Sequence, residues 1–205
     1  MNKFFVAAGI LVFSAGISAA ADAPAGCADQ WQGAYVGAHS GYGFGDTDTW
    51  GSGLAVGDVD IEGFMAGVIT GYNFQNCDWV FGIESDIGFG VMDGAAGLMR
   101  DLDLEPNGHI RGRLGMAYGD ALFFGAAGIA LADFDIEVPG QGVDSHLHMG
   151  LTVGAGVDYM IDPNWVIRGE YLVDVYGKEN YGFPGGNIKM DAYTVTVRGA
   201  IMYKF

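Results

Sequence analysis

The sequence predicts an all-β chain that closes as an eight-stranded antiparallel up-and-down transmembrane β-barrel, with short periplasmic turns and long acidic external loops. Three observations predict it. Alternating apolar and polar residues recur in eight segments; the connections between them alternate long and short; and one face of the segments is apolar while the other carries charge of both signs.

The chain begins MNKFFVAAGILVFSAGISAAADAP, with Lys3, an apolar run over 4–17 and the small residues Ala19, Ala20 and Ala21. This is the layout of a secretory signal peptide over 1–21, and the run is too short for a spanning helix. A short periplasmic segment is expected over 22–30 and the barrel over 31–205. No later stretch supplies the roughly 18 apolar residues of a transmembrane helix. The 36 glycines argue against a helical chain, and the 50% hydrophobic content against a disordered one. The formal net charge of −16 excludes nucleic acid as a partner.

Two cysteines in an exported chain, Cys27 and Cys77, predict a disulfide at the periplasmic end. The run Pro24-Ala25-Gly26-Cys27 is a poor lipoprotein box, with proline where leucine belongs and the cysteine far beyond the apolar run.

Strand one lies in QGAYVGAHSGYGFG, with Val36, Tyr42 and Phe44 on one face and Tyr35 and His39 on the other. An acidic loop is expected over 46–62. Strand two runs over 63–74 with Phe64, Val68 and Phe74 outward, and a turn over 75–78 leads to strand three over 79–90. There Trp79, Phe81, Ile83 and Phe89 face out, Glu84 and Asp86 in. A loop over 91–106 carries Asp93, Asp101, Asp103 and Glu105.

Strand four, 107–118, turns Ile110, Leu114 and Met116 outward and His109, Arg111 and Arg113 inward. Gly119 and Asp120 make the second turn. In strand five, 121–131, small residues occupy both faces, and Phe123 and Ile129 are taken as outward. A third acidic loop holds Asp133, Asp135, Glu137 and Asp144. Strand six, 146–160, directs Leu151, Val153 and Tyr159 out and Asp158 in, and the turn over 161–164 is proline-marked. Strand seven, 165–176, turns Arg168, Glu170 and Asp174 inward. Strand eight, 190–205, has Arg198 and Lys204 inside and Ile201, Tyr203 and Phe205 outside.

The inner face thus collects Glu84, Asp86, Asp158, Glu170 and Asp174 with Arg111, Arg113, Arg168, Arg198 and Lys204. In a soluble core these ions would each cost several kcal/mol, which disfavours a lipocalin-like barrel with its apolar interior. Facing one another they form pairs: Glu84 and Asp86 with Arg111 and Arg113, Glu170 with Arg198. Such a network either plugs the lumen or lines a narrow water path; eight strands leave little more than side-chain width, which favours the plug.

Five stretches carry a resemblance: WQGAYVGAHSGYGFG, GYNFQNCDWVFGIESDIGFG, RGRLGMAYG, GLTVGAGVDYMIDPNWVIRGEYL and the terminal YKF. Together they resemble the small outer-membrane β-barrel proteins, porin-like surface antigens of Gram-negative bacteria, over the whole mature chain. The resemblance implies insertion by the barrel-assembly machinery, with the last strand (Ile201, Tyr203, Phe205) as the signal it reads, and a setting of outer-membrane lipid and lipopolysaccharide. The cysteine pair departs from that pattern, and no peptidoglycan-anchoring domain is expected.

The function expected is structural and surface-exposed in the bacterial envelope; the alternative is a narrow porin for passive diffusion of small solutes. A lipid A-modifying enzyme is a weaker reading. His39 and Ser40 are adjacent and so point to opposite faces, and His146 and His148 share a rim position with no third metal ligand. No cofactor or catalytic residue is expected. Asp46, Asp48, Asp58 and Asp60 are candidates for divalent cations bridging to lipopolysaccharide.

Overall fold

The computed structural model describes residues 29–51, 59–94, 105–138, 142–183 and 186–205. The signal peptide expected over 1–21 and the segment over 22–28, Cys27 included, lie outside the described residues. Eight strands follow in order: β1 (Gly33–Gly51), β2 (Val59–Asn76), β3 (Trp79–Gly94), β4 (Glu105–Tyr118), β5 (Ala121–Val138), β6 (Gly142–Asp162), β7 (Trp165–Phe183) and β8 (Gly186–Lys204). Each pairs antiparallel with its neighbours, and β8 pairs with β1, so the sheet closes into a barrel.

Alternation sets the two faces as the sequence implies. Phe64, Leu151, Ile83, Phe123 and Val197 are exposed on the outside, where hydrocarbon rather than water is the matching solvent. β5 takes the facing expected of it, with Phe123 and Ile129 out and Leu122, Phe124, Ala126 and Ala130 buried inside.

The strands reach further at their outer end than hydrophobic alternation predicts. Asp46, Asp48 and Asp60 belong to β1 and β2, with Asp46 opposite Asp60; Asp133, Asp135, Glu137 and Asp144 belong to β5 and β6. The acidic loops are correspondingly shorter than expected. A bilayer needs about 9–11 residues per tilted strand, whereas these run from 14 to 21. Beyond the membrane both faces meet water, so polar residues continue the ladder without an apolar period. Two turns tighten likewise, to Cys77 with Asp78 and to Pro163 with Asn164, while the third is Gly119 with Asp120 as expected. Gln75 and Asn76 pair with Val80 and Trp79, and Asp162 pairs with Trp165 after a bulge at Ile161.

Glycine density has a packing cause. At Gly67 an added Cβ would stand 2.7 Å from the His39 ring, and at Gly156 it would stand 2.8 Å from the Phe124 ring. Inward glycines give inward rings their space.

The interior is not polar throughout, which corrects the sequence expectation. At the end that carries the short turns, Trp31, Tyr35, Ile69, Val80, Leu122, Met160, Val166 and Met202 pack into an apolar layer. Outside the same end, Tyr72 packs on Phe74, and Trp165, Tyr203 and Phe205 form an edge-to-face chain at 5.3 and 5.2 Å. These rings build the interfacial girdle.

Candidate functional site

Above the apolar layer the lumen is filled by charge. Alternation alone puts Glu84 with Asp86, Arg111 with His109 and Arg113, and Arg168 with Glu170 and Asp174 on the inner face. Closure of the barrel brings β6 and β8 round to meet them.

Glu84 is the hub. It accepts from the Tyr35 hydroxyl at 2.6 Å, from Arg168 Nη1 at 2.6 Å and from Arg111 Nη2, with Arg113 Nη1 at 3.7 Å. Arg111 Nη1 crosses to Glu170 Oε1 at 2.7 Å, and Arg198 Nε donates to Glu170 Oε2 at 2.7 Å. Arg198 Nη2 continues to Asp86 Oδ2 at 3.1 Å. Asp158 accepts two bonds from Arg168, at 2.6 and 3.0 Å, and one from Arg113 at 2.7 Å. The Phe124 ring lies under both guanidiniums, 4.1 Å from Arg113 and 4.6 Å from Arg168.

His109 stands between two carboxylates, Nδ1 2.7 Å from Asp86 Oδ1 and Nε2 3.4 Å from Asp174 Oδ1. Thr194 Oγ1 donates to Asp174 at 3.3 Å. Five carboxylates thus face four guanidiniums and one imidazole, all buried. Buried in this way the attractions are strong, and removing one partner of such a pair costs about 3–5 kcal/mol.

The network contains nine of the ten charged residues read from the sequence. Lys204 stands apart: it is half-buried at the periplasmic end, separated along β8 from Arg198 by Ala200 and Met202, and makes no ion pair among the described residues. Glu84 meets Arg111 and Glu170 meets Arg198 on adjacent strands, whereas Arg113 bonds Asp158 of β6 in place of Asp86, and Arg111 and Arg168 also cross the lumen to Glu170 and Glu84. A closed barrel only wide enough for side chains makes opposite walls as near as neighbouring strands.

Sequence reasoning missed Tyr35, His109, Thr194 and Phe124 as members. Tyr35 left a legible signal, a large phenol on an inner face otherwise made of glycine and histidine. His39 is buried in the lumen while Ser40 faces out and donates to the Met65 carbonyl at 3.1 Å, so the two lie on opposite faces of β1. His148 is buried inside the barrel, and the side chain of His146 lies outside the described residues. Among the described residues no cluster of three His, Cys, Asp or Glu is placed to hold a metal ion. The side chains of Asp46, Asp48 and Asp60, and all of Asp58, lie outside the described residues. Cys77 sits in the β2–β3 turn with φ of 54° and is not a free cysteine. Ile201, Tyr203 and Phe205 face outward.

Residues 5–204 match the family model described as outer membrane protein beta-barrel domain. The chain belongs to the outer-membrane β-barrel family. This outer-membrane barrel is 33% identical, over 186 residues, to the 22 kDa outer membrane protein of Rhizobium leguminosarum bv. viciae, a match covering 91% of this chain and 83% of that one. It is 31% identical over 211 residues to the 25 kDa outer-membrane immunogenic protein of Brucella abortus biovar 1, covering 98% and 96%. Among solved structures, Neisserial surface protein A shares the fold with a TM-score of 0.53 at 15% identity, covering 84% of this chain and 97% of that one. OprG of Pseudomonas aeruginosa shares it with a TM-score of 0.50 at 14% identity, covering 85% and 96%. The protein is an outer-membrane β-barrel, located in the bacterial outer membrane.

Proposed function

We propose that the protein is a sealed structural barrel of the envelope, which holds extended outer strands at the cell surface and conducts no solute. The observation that carries this reading is the cross-lumen network, in which Glu84, Arg111, Arg168 and Glu170 are fully buried and bonded from wall to wall. A water path would leave such side chains solvated. The immunogenic naming of the Brucella relatives supports a surface-exposed position.

We read the barrel as non-catalytic. The carboxylate–imidazole arrangement of Asp86, His109 and Asp174 is enclosed, and the Ser40 hydroxyl faces the opposite side of its strand. Insertion by the barrel-assembly machinery and contact with lipopolysaccharide, with divalent cations at the acidic outer residues, are part of the same proposal. Cys77 paired with Cys27 belongs to it as well.

Planar-bilayer recording tests the proposal. Wild-type protein is expected to leave the bilayer silent. Steady ion conductance from pure, folded wild type would establish the porin reading in its place.

A further inference from the structure

We propose that Gln30 and Trp31 form a stopper that shuts the periplasmic mouth of the barrel. The inference rests on the sealed-lumen reading and adds a second, separate seal to it. Trp31 precedes β1, yet it is 1% exposed and packs on the apolar layer of Val80, Leu122, Met160, Val166 and Met202. Uncovered, that layer would expose its apolar surface to periplasmic water.

Polar contacts fix Trp31 in place from the end of β2 and from the β4–β5 turn. Its backbone N–H donates to Gln75 Oε1 at 2.8 Å, and Gln75 Nε2 in turn donates to the Cys77 carbonyl at 2.7 Å. On the other side the Gly119 carbonyl accepts from Trp31 Nε1 at 3.4 Å and from Gln30 Nε2 at 2.5 Å. Gly119 has φ of +56°, a conformation that suits glycine. A backbone bond from Gln32 N to the Asp29 carbonyl at 2.9 Å makes the bend that turns the segment under the barrel.

The β4–β5 turn is not a neighbour of β1 in the sheet. A segment fastened to the start of β1, to the β2–β3 turn and to the β4–β5 turn therefore crosses the mouth. None of the strand ladder passes through Trp31, so the barrel does not depend on it for closure.

The test places a reporter under the stopper. Met202→Cys is introduced in an otherwise native chain in lipid nanodiscs, and a membrane-impermeant maleimide is added. Modification at position 202 is read by peptide mass, and heat-modifiable mobility confirms that each variant is folded. Position 202 is expected to resist labelling with Trp31 present and with Trp31→Phe, and to label at least tenfold faster with Trp31→Ala. Rapid labelling with native Trp31 would overturn the stopper even if Trp31→Ala did not assemble. Equal rates in all three would overturn it as well. Conductance by wild type would defeat the sealed-lumen reading, whereas a silent bilayer with rapid labelling at position 202 would defeat the stopper alone.

Discussion

At the scale of single residues, the inner wall works by matching absent side chains to large ones. Gly156 leaves room for Phe124, which supports the guanidiniums of Arg113 and Arg168, which in turn hold Asp158 and Glu84. An alanine Cβ at position 156 would stand 2.8 Å from the Phe124 ring and 2.6 Å from the Gly169 carbonyl. We expect Gly156→Ala to destabilise the barrel by about 1–3 kcal/mol through overpacking. Gly169 faces outward with nothing within 4 Å of its added Cβ, so Gly169→Ala is expected to be near neutral. Urea unfolding followed by heat-modifiable mobility compares the two; equal effects would detach the network from its glycine wall. His109 is informative at the same scale. It was legible as an inward residue but not as a member of the network, because nothing local says that Asp174, 65 residues away, stands against its ring.

At the scale of elements, the closing strand β8 has neighbours on both sides, β7 with Glu170 opposite Arg198 and β1 with Tyr35 opposite Lys204. The residue that follows β8, Phe205, is held by a backbone bond from its N to the Ala34 carbonyl at 3.0 Å and by edge-to-face contact with Tyr203. Deleting Phe205 is expected to lower the amount of heat-modifiable protein in outer-membrane fractions while leaving export intact. Undiminished assembly would remove the terminal aromatic as a signal. The β2–β3 turn carries a second expectation. If Cys77 pairs with Cys27, alkylation without reduction adds no mass, and reduction first adds two labels; two labels without reduction would contradict the pairing.

The elements themselves were largely legible, since period-two alternation survives wherever one face meets hydrocarbon and the other meets the lumen. The strand ends were not. Asp46, Asp60 and Asp133 pair in ladders where no apolar face is needed, so the sequence offers no period to read there. Facing in β5 was nearly ambiguous because Phe123 and Phe124 are adjacent. Only the interior shows why the second belongs inside, under two arginines.

At the scale of the whole molecule, the barrel is a cylinder closed by two kinds of matter: apolar packing with Trp31 at the periplasmic end, and charge across the middle. Charge composition was readable in the sequence, five acids and five bases on one face, but its geometry was not. Period and spacing specify neighbours along a strand and across one ladder, whereas Arg168 with Glu84 and Arg111 with Glu170 join walls that only closure brings together. The apolar layer was hidden for a related reason. Val80, Leu122, Val166 and Met202 come from four strands, and nothing within any one strand says that they meet.

The claim that most needs testing is that this charge forms a dry lock and not a wetted lining. A double-mutant cycle on Arg111→Ala and Glu170→Ala measures it, because these side chains come from β4 and β7, meet at 2.7 Å and are fully buried. The two losses of unfolding free energy are expected to be strongly non-additive, with a coupling of about 1–3 kcal/mol that persists at high salt. A coupling below about 0.5 kcal/mol that vanishes with salt, as exposed pairs show, would contradict the sealed lumen.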